Sequence, residues 1–583
     1  MAKKAEFEEA SLESANPDIP KPRLIKLIVK NFRCIGPHPV TIDLDDIVVL
    51  VGANNVGKSS ILKAYEIAMT QGSKEGQLNI EDFPNNKVDP DNLPEIELHT
   101  IVYDNSPGEK WIEILNNNEK LVKERWFWKV PGPSIREGWD VEKKEWSTSV
   151  PWGAPNVANS RRPEPHRIDA FASPFEQANA IKKLLNKVID ERIKNLKSDN
   201  EGENDYTLLL KKVKDLQKQI VMETQEQIDL VNEELSKLIC GVFPNYKVDY
   251  DAKPEDNLEK TINFFKADAQ LLMGPKDGYL STIDRQGSGA QRTLLWAALK
   301  FISEENQKDK KDARPHLLLI DEPELCLHPS AIREASNVLY NLPNSGNWQV
   351  MATTHSPIFI DFSRNNTTII RVDKKSDGTI TGTTVFRPDK VKLEEDDKTN
   401  LKFLNLCDPY VAEFFFGGRV IIVEGDTEYT AFNHVKALKP ELYKDIHIIR
   451  ARGKATVVSL IKILNHFGSS YSVLHDSDTI LTSTGAKNPA WTNNEKILKA
   501  IDERPKDSQV RLFASIPNFE QAYFGETYNK EKPYNALIKI KEDKTKLDII
   551  ENLLKSLISF GEIAPNNCIQ WESMDQLEAR LFQ

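Results

Sequence analysis

Short apolar runs separated by polar segments occupy the start of the chain, and this alternation is typical of an α/β fold. Ile47–Val51 is entirely apolar and predicts a buried strand, preceded by strands at Arg23–Asn31 and Val40–Leu44. Ser60–Tyr65 predicts a helix shortly after the buried strand. The amino end of a helix in this position attracts phosphate groups, so the pattern points to an anion site early in the chain.

Two apolar runs much further along the chain predict additional strands. His316–Ile320 runs directly into Asp321 and Glu322, and Trp348–Thr354 runs into His355. Ligands of α/β sheets bind at the carboxyl ends of the strands, so these three polar side chains are candidates for one site.

Apolar residues at helical spacing dominate the segment from about 175 to 245. One face carries Ile181, Leu184, Leu185, Val188 and Ile189, and after the polar break at 198–205 another face carries Leu209, Val213, Leu216, Ile220, Ile228, Val231, Leu235 and Leu238. The pattern predicts a helical hairpin inserted into the first domain. It is either a dimerisation element or an ordinary packed hairpin.

Gly52–Ser59 fits the phosphate-binding loop pattern G-x-x-x-x-G-K-[ST] at every required position. In such a loop backbone N–H groups surround the β-phosphate, Lys58 reaches the β- and γ-phosphates, and the Ser59 hydroxyl binds Mg²⁺. The predicted ATP-binding residues here are Gly52, Asn54, Asn55, Val56, Gly57, Lys58, Ser59 and Ser60. Asp321 would hold Mg²⁺ through water, Glu322 would polarise the attacking water, and His355 lies where a γ-phosphate sensor is expected.

The segment Arg285–Arg292 places small residues at the start of an apolar helix and predicts a second anion-binding site. With the phosphate-binding loop, the acidic strand and the histidine, it resembles the ABC-type ATPases, in the branch that contains SMC, Rad50 and RecF-like proteins. The resemblance covers residues 23 to about 375. It implies that Ser288, Gly289 and Gln291 belong to a signature loop that contacts ATP across a dimer, with Ala290 in place of the usual second glycine. The position of the glutamine loop stays open between Gln71 and Gln77.

Three predicted strands in the last third of the chain each end in polar residues. They are Arg419–Val423 before Glu424 and Glu428, Ile446–Ala451 before Gly453 and Lys454, and Tyr471–His475 before Asp476 and Asp478. A parallel sheet gathers such residues at one edge, and alternation would place Asp476 and Asp478 on the same side. Grouped carboxylates repel one another unless a cation lies among them, and oxygen ligands suit Mg²⁺ or Mn²⁺.

This ordered set resembles the Toprim fold of topoisomerases, primases and some nucleases. An ABC-type ATPase followed by Toprim resembles the OLD (overcoming lysogenisation defect) family of nucleases, over nearly the whole chain. The resemblance implies that Glu520 is a ligand for a second metal and that Lys532 stabilises the pentavalent phosphate. One ion would be held by Glu424, Glu428 and Asp476 and would activate water, and the other would lie near Asp478 and Glu520.

Composition adds limits. With 583 residues, 39% of them hydrophobic and 28% charged, the chain is expected to be a soluble protein of two to four domains. No apolar run approaches the roughly 18–20 residues of a membrane span, so no membrane contact and a cytoplasmic location are expected. The net charge of −11 leaves room for a local basic groove but not for a generally basic surface. The five scattered cysteines show no metal-binding spacing.

The chain is therefore expected to be an ATP-binding, divalent-metal-dependent DNA endonuclease, with Mg²⁺ at the ATPase site and two Mg²⁺ or Mn²⁺ ions at the Toprim site. Alternatives are an ATPase scaffold with a non-cleaving Toprim domain, a RecF-like repair loader, and a topoisomerase or primase. The predicted domains are a disordered tail at 1–22, an ABC-type ATPase at 23–400 and a Toprim domain with a C-terminal helical part at 401–583.

The family resemblance alone suggests the partners. It implies a homodimer or higher homo-oligomer and an effector role in bacterial anti-phage defence. A partner from the same operon would then gate the nuclease, such as a retron reverse transcriptase with its msDNA or a helicase in a Gabija-like system.

Overall fold

The computed structural model describes residues 22–170, 278–306, 315–345 and 348–581, apart from short gaps at 363, 365, 376, 388–390, 392, 467, 483, 507, 526–529 and 560, and only short stretches within 171–277. One compact unit contains the residues up to Ala170 and from Asn306 onward, and a second contains Phe171–Glu305. The predicted tail at 1–22 and the predicted hairpin at 175–245 lie almost entirely outside the described residues and stay predictions.

The part of the chain up to Phe386 contains many strands and a few helices of 6 to 19 residues. In chain order they are β1 Arg23–Lys30, β2 Val40–Asp43, β3 Ile47–Val51, α1 Lys58–Met69, β4 Glu95–Val102, β5 Glu113–Ile114, β6 Lys120–Phe127, β7 Ile135–Asp140, β8 Glu145–Ser147, α2 Pro155–Ser160, β9 Glu164–Ile168, β10 Leu272–Met273, β11 Ser281–Thr282, α3 Ser288–Asn306, β12 His316–Asp321, α4 Pro329–Asn341, β13 Trp348–Thr353, β14 Thr367–Lys374 and β15 Ile380–Phe386.

The C-terminal part alternates strands with helices. In chain order it consists of α5 Glu395–Cys407, a 3₁₀ helix Pro409–Phe416, β16 Arg419–Val423, α6 Asp426–Leu438, α7 Pro440–Tyr443, β17 Ile446–Arg450, α8 Lys454–His466, β18 Tyr471–Asp476, α9 Pro489–Asp502, β19 Val510–Ser515, α10 Phe519–Phe524, α11 Lys532–Glu542, α12 Lys544–Ile558, β20 Cys568–Gln570 and α13 Met574–Leu581.

A six-stranded sheet, in the order β15-β14-β3-β13-β12-β9, forms the centre of the ATPase domain. Its neighbouring strands are parallel except for the pair of β14 and β15. Every residue of β3, β12 and β13 is buried, which explains why β3 is entirely apolar and why β12 and β13 are mostly apolar in the sequence. The helix α1 packs on this sheet, so the phosphate-binding loop between β3 and α1 opens at the carboxyl edge.

A separate antiparallel sheet has the order β2-β1-β4-β6-β7-β8, with β5 paired to β6. The first two predicted strands therefore belong to this sheet and not to the sheet that holds β3. Gln349 of β13 connects the two sheets, because its amide accepts from the backbone N–H of Leu24 at 2.9 Å and donates to the Leu24 carbonyl at 2.9 Å. Strands β4 to β8 were not predicted.

The Toprim sheet has the order β17-β16-β18-β19-β20 and is parallel except for β20. Its core includes Val423, Phe432, Leu474, Phe513 and Ile550, contributed by strands and by the helices that cover them. The predicted α/β fold class is confirmed, and the predicted domain bounds stay predictions.

Helix α5 packs against α8 of the Toprim domain. Asp397 of α5 accepts hydrogen bonds from Ser459 Oγ at 2.8 Å and Lys462 Nζ at 2.5 Å. The side chain of Asp397 is buried, so this contact fixes α5, at the start of the C-terminal part, against α8.

Candidate functional sites

The loop between β3 and α1 has a backbone that requires glycine at two positions. Gly52 has φ 140°, and a Cβ there would lie 2.1 Å from the carbonyl oxygen of Val372 on β14. Gly57 has φ 97° and immediately precedes the first residue of α1. Both φ values lie in the region that residues with an L side chain rarely adopt. The backbone of the loop therefore explains why the motif has glycine at these two positions.

The ammonium group of Lys58 is held inside this loop. Its Nζ donates to the carbonyl oxygens of Gly52 at 2.9 Å and Ala53 at 2.7 Å. Burial lowers the pKa of Lys58, and the acids Glu322 and Asp321 oppose that effect. Lys58 thus lies close to Asp321 and Glu322. A group that neutralises phosphate at this site needs that position.

The remaining predicted loop residues divide into two sets. Asn54, Asn55 and Ser59 are exposed and can meet a ligand from solution, whereas Val56 and Ser60 are buried. The Ser60 hydroxyl lies 3.8 Å from the Cys34 thiol, so this residue would contribute its backbone rather than its hydroxyl.

The acidic end of β12 meets the end of β13. Thr353 Oγ1 donates to Asp321 Oδ1, and Arg167 at the end of β9 forms an ion pair with Asp321 Oδ2 at 3.5 Å. Glu322 has a left-handed backbone with φ 47°, and its N–H donates to the Thr353 carbonyl at 3.1 Å. His355 Nε2 lies 3.7 Å from Glu322 Oε1, so the structure brings the predicted acid and the predicted sensor together.

Glu324 supports this arrangement and was not predicted from the sequence. Its carboxylate accepts from the backbone N–H of His355 at 2.7 Å and from Thr354 Oγ1 at 2.9 Å. Burial raises the pKa of Glu324, although these hydrogen bonds oppose it. The only sequence signal was its position two residues after Glu322 in the loop that follows β12.

The predicted signature residues lie at the start of α3, in the second compact unit. Ser288 is its first residue and is exposed, and Gly289 is half-buried. Gln291 is buried, and its Nε2 donates to the carbonyl oxygens of Ile283 at 2.9 Å and Gln286 at 3.0 Å. This side chain therefore fixes the turn that precedes α3.

Glu424 and Asp476 occupy the carboxyl ends of the neighbouring strands β16 and β18. The N–H of Asp476 donates to Glu424 Oε2 at 3.1 Å. Asp476 Oδ1 in turn accepts from the N–H of Phe519 at 2.8 Å, at the start of α10. The parallel register thus brings together two acids that are 52 residues apart in the chain.

Two buried glutamates complete the cluster. Glu428, in the first turn of α6, has its pKa raised to about 8 by burial and by the neighbouring Glu424 and Glu520. Glu520 Oε1 accepts from Thr427 Oγ1 at 2.9 Å and lies 3.5 Å from Lys532 Nζ. Desolvation also raises the pKa of Asp476 well above its usual value, and Glu428 adds the next largest effect.

Asp478 lies in the cluster, but its backbone conformation differs from the predicted one. The strand ends at Asp476, and Asp478 has a left-handed backbone with φ 59°, so the predicted strand alternation of the two aspartates is wrong. Its N–H donates to the Pro517 carbonyl at 2.9 Å. The buried Lys454, at the start of α8, donates to Asp478 Oδ2.

Lys454 was assigned no role from the sequence, although the Gly-Lys pair before α8 was a visible signal. Glu520 raises the pKa of Glu428 and Asp476, and Asp478, which is paired with Lys454, also raises the pKa of Asp476. The division of these acids between two metals stays a prediction.

The comparisons with known proteins agree with this geometry. A family model described as the AAA ATPase domain matches residues 23–129 and 169–360, about half of the chain. The chain belongs to this ATPase family. A model described as the overcoming lysogenization defect protein-like TOPRIM domain matches residues 415–478, which contain Glu424, Glu428, Asp476 and Asp478. The predicted OLD-type pairing of ATPase and Toprim domains is confirmed.

Relatives extend over both domains. The Old nuclease of Escherichia phage P2 is 25% identical over 520 residues, which cover 85% of this chain and 85% of that protein. Endonuclease GajA of Bacillus cereus (strain VD045) is 22% identical over 457 residues, which cover 78% of this chain and 74% of that protein. The Smc head crystallised with the C-winged helix domain of ScpA covers 63% of this chain and 98% of its own, at 14% identity and a TM-score of 0.34.

This member of the AAA ATPase family therefore combines an ATPase with a Toprim endonuclease domain in one chain. Across the part of the chain that the structure describes, we find no helix with the length and apolar character needed to cross a membrane.

Proposed function

We propose that this ATPase–nuclease cleaves or nicks DNA at the carboxylate site, with divalent cations held there, and that ATP at the other site regulates the cleavage. The observation that carries the proposal is the cluster of Glu424, Glu428, Asp476 and Glu520. Burial and mutual repulsion raise the pKa of Glu428 and Asp476, so ionised carboxylates at these positions need a cation for charge balance.

The donor set supports Mg²⁺ or Mn²⁺, because it consists of carboxylate oxygens. The residues that would hold two such ions are Glu424, Glu428, Asp476, Asp478 and Glu520. When bound, the ions supply Lewis-acid stabilisation of the phosphate oxygens and lower the pKa of water.

The two lysines have different roles in the proposal. Lys532 is half-exposed and pairs with Glu520 at 3.5 Å, so it can turn to a phosphate group that enters from solution. Lys454 is buried and fixes the position of Asp478 by their ion pair. A positive charge placed beside a phosphate before the reaction stabilises the charge that develops in the transition state.

At the ATPase site, Lys58 would bind the β- and γ-phosphates while Ser59 and Asp321 hold Mg²⁺. Glu322 would orient the attacking water, with His355 beside it. The exposed Asn54 and Asn55 would meet the nucleotide from solution. The matched ATPase family supports nucleotide hydrolysis at this loop.

Three wider proposals accompany this function. Ser288, Gly289 and Gln291 would form a signature loop that completes the ATP site of a second copy, so we propose a homodimer or larger homo-oligomer. From the resemblance to the OLD family we also propose a role in anti-phage defence, with a partner that gates cutting. For the domains, we propose that the Toprim part begins at α5, because Asp397 bonds to Ser459 and Lys462 of α8.

The test is cleavage of supercoiled plasmid by the purified full chain with Mg²⁺, with Mn²⁺ or with a chelator, each with and without ATP. The variant is the double substitution Asp476→Asn/Asp478→Asn. Asp502→Asn is the matched control, because Asp502 is an acid of the same domain with a side chain that is 68% exposed.

Nicked or linear product from the wild type and the control, absent with chelator and absent from the double variant, supports the proposal. Equal cleavage by the double variant would assign the activity to a contaminating nuclease and overturn it. ATP hydrolysis without cleavage under any metal, and also after addition of operon neighbours, would favour the ATPase scaffold instead.

A further inference from the structure

We propose that Glu164, His166 and His316 bind one Zn²⁺ ion at the amino ends of β9 and β12, separate from both sites described above. These three side chains converge between two neighbouring parallel strands of the ATPase sheet. His316 is the register partner of Glu164, and Leu318 is the partner of His166. One ligand atom from each residue lies within 4.8 Å of the other two.

The separations fit a tetrahedral zinc centre. His166 Nε2 lies 3.1 Å from His316 Nδ1, and His316 Nδ1 lies 3.9 Å from Glu164 Oε2. Ligand atoms at Zn–N and Zn–O distances of about 2.0–2.2 Å in a tetrahedron are roughly 3.3 Å apart. The two nitrogens already have nearly this spacing, and the Glu164 side chain is 24% exposed, which leaves it room to move closer.

The chemistry of the three groups favours a cation over a proton. A proton shared between the two imidazoles joins only those two rings, whereas the Glu164 carboxylate lies 3.9 Å from His316. A divalent ion accepts electron pairs from all three groups at once. Two imidazoles and one carboxylate suit Zn²⁺, whereas the all-carboxylate Toprim site suits Mg²⁺ or Mn²⁺.

The surroundings hold the rings in place. The buried Trp348 of β13 packs against both, with its ring centroid 4.7 Å from His316 and 5.1 Å from His166. An aromatic wall excludes water and strengthens the attraction between an ion and its ligands. Three protein ligands leave a fourth position for water.

The ion would join the edge strand β9 to β12. Asp321 lies at the opposite end of β12, roughly 16 Å away at about 3.3 Å per residue, so the Mg²⁺ of the ATPase site is a different ion. Arg167, next to His166, forms the ion pair with Asp321. Fixing β9 at its amino end would thus hold Arg167 against that acid.

The test uses the full chain, stripped of metal with a chelator and titrated with Co²⁺ as a spectroscopic probe. Tetrahedral Co²⁺ with nitrogen ligands absorbs strongly in the visible range, whereas octahedral Co²⁺ with oxygen ligands absorbs weakly. We expect one strongly absorbing Co²⁺ per chain, displaced by equimolar Zn²⁺ and retained in excess Mg²⁺. The Asp476→Asn/Asp478→Asn protein is expected to keep the signal.

His316→Gln and His166→Gln are expected to abolish the strong absorption. Glu164→Gln, at a partly exposed position where the fold is easily kept, is expected to weaken Co²⁺ binding by at least about tenfold. His99→Gln is the matched control, because His99 Nε2 lies 2.6 Å from Glu97 Oε1 but has one imidazole and one carboxylate only. Absence of strong absorption in the wild type, or equal affinity in Glu164→Gln and wild type, would overturn the proposal.

Discussion

The imidazole ring of His355 stacks on the ring of Phe416, with centroids 6.5 Å apart and planes inclined by 18°. His355 belongs to the nucleotide site, where its ring lies beside Glu322. Phe416 is the last residue of the 3₁₀ helix that leads through two glycines into β16. Because β16 ends at Val423 and Glu424 follows directly, this stack connects the ATPase site to the carboxylate site through a short stretch of chain.

The connection is stiff at its second glycine. Gly418 has φ 93°, and a Cβ there would lie 2.6 Å from the Asp445 carbonyl oxygen just before β17. The start of β16 is thus held against the segment before β17, and a shift of Phe416 reaches it across Gly417 alone. This is the physical basis for expecting nucleotide at His355 to alter the geometry of Glu424.

Phe416→Ala is expected to uncouple ATP from DNA cleavage. The ratio of cleavage rates with and without ATP should move towards one, whereas cleavage without ATP should change little because Phe416 touches no carboxylate ligand in the described contacts. Phe403→Ala, at a 57% exposed position on α5, is the control and should keep the wild-type ratio. An unchanged ratio in Phe416→Ala would show that the stack transmits nothing.

Lys58→Met is expected to reduce ATP hydrolysis by roughly 10²–10³-fold, the usual cost of removing a group that stabilises developing charge. The effect of ATP on plasmid cleavage should disappear with it, while ATP-free cleavage persists. Hydrolysis is measured by phosphate release. Lys63→Met on the same helix is the control, since its Nζ pairs with Glu66 at 2.8 Å on the partly exposed face. Equal loss in both variants would indicate damage to α1 instead.

Lys454→Met is expected to lower DNA cleavage by roughly 10²–10³-fold and to leave ATP hydrolysis near the wild-type rate. The reason is that Asp478 loses the buried ammonium group that fixes it, and like charges in the cluster then repel more strongly. Lys496→Met, on the exposed side of α9, should cleave normally. Lys454→Arg keeps the charge and should recover part of the activity, which a purely steric role for Lys454 would not predict.

Because of the buried His475, we expect the folded protein to lose stability in acid. Trp571 Nε1 donates to its Nε2 at 3.2 Å, so the proton is on Nδ1, which donates to the Asp476 carbonyl at 2.7 Å. Burial and the nearby Lys454 lower the pKa of His475 from 6.5 to about 3. Between pH 6.5 and 3, His475 is therefore protonated in the unfolded chain but not in the folded chain. The stability that is present above pH 6.5 is lost as the pH falls.

At pH 5 this single group costs roughly 2 kcal/mol of unfolding free energy relative to pH 7.5. Urea denaturation at several pH values measures it, with His475→Gln as the comparison. The variant should be less stable at pH 7.5 but have a smaller pH slope below 6.5. The comparison separates His475 from the carboxylates, whose raised pKa values act in the opposite direction. Parallel slopes would contradict the prediction.

The strands that could be predicted from the sequence are those whose own residues form a recognisable apolar pattern. Ile47–Val51 and Arg419–Val423 have the predicted bounds because central parallel strands are apolar on both faces. The strand β6 reads KLVKERWF, with charged residues on both faces and a buried Glu124, so it has neither a continuous apolar run nor a clean alternation. Such a strand is recognised only when its sheet is known.

The same distinction applies to the residues of the two sites. Glu424 and Asp476 were predictable because each directly follows an apolar run. The pairs formed by Lys454 with Asp478 and by Arg167 with Asp321 depend on how distant segments meet. The left-handed backbone of Asp478 could not be predicted either, since a tertiary bond to Pro517 holds it.

Glu124 on β6 is enclosed by two arginines in the antiparallel sheet. Arg162 makes two hydrogen bonds to it, at 2.8 and 2.7 Å, and Arg136 Nε lies 3.0 Å from its Oε1. All three side chains are almost fully buried. Burial lowers the pKa of Arg136 to about 10, and the Glu124 charge opposes that effect. The negative charge of Glu124 therefore compensates the positive charges of the two buried guanidinium groups.

Glu124→Gln is expected to destabilise the protein by about 3–5 kcal/mol, because it leaves buried positive charge without compensation. Glu395→Gln is the comparison: Glu395 pairs with Lys398 at 2.8 Å, but its side chain is 87% exposed, so its loss should cost less than about 1 kcal/mol. Chemical denaturation measures both. Similar small losses in the two variants would mean that water reaches the arginines once Glu124 is neutral, and the cluster would then not be the closed ion network that the contacts describe.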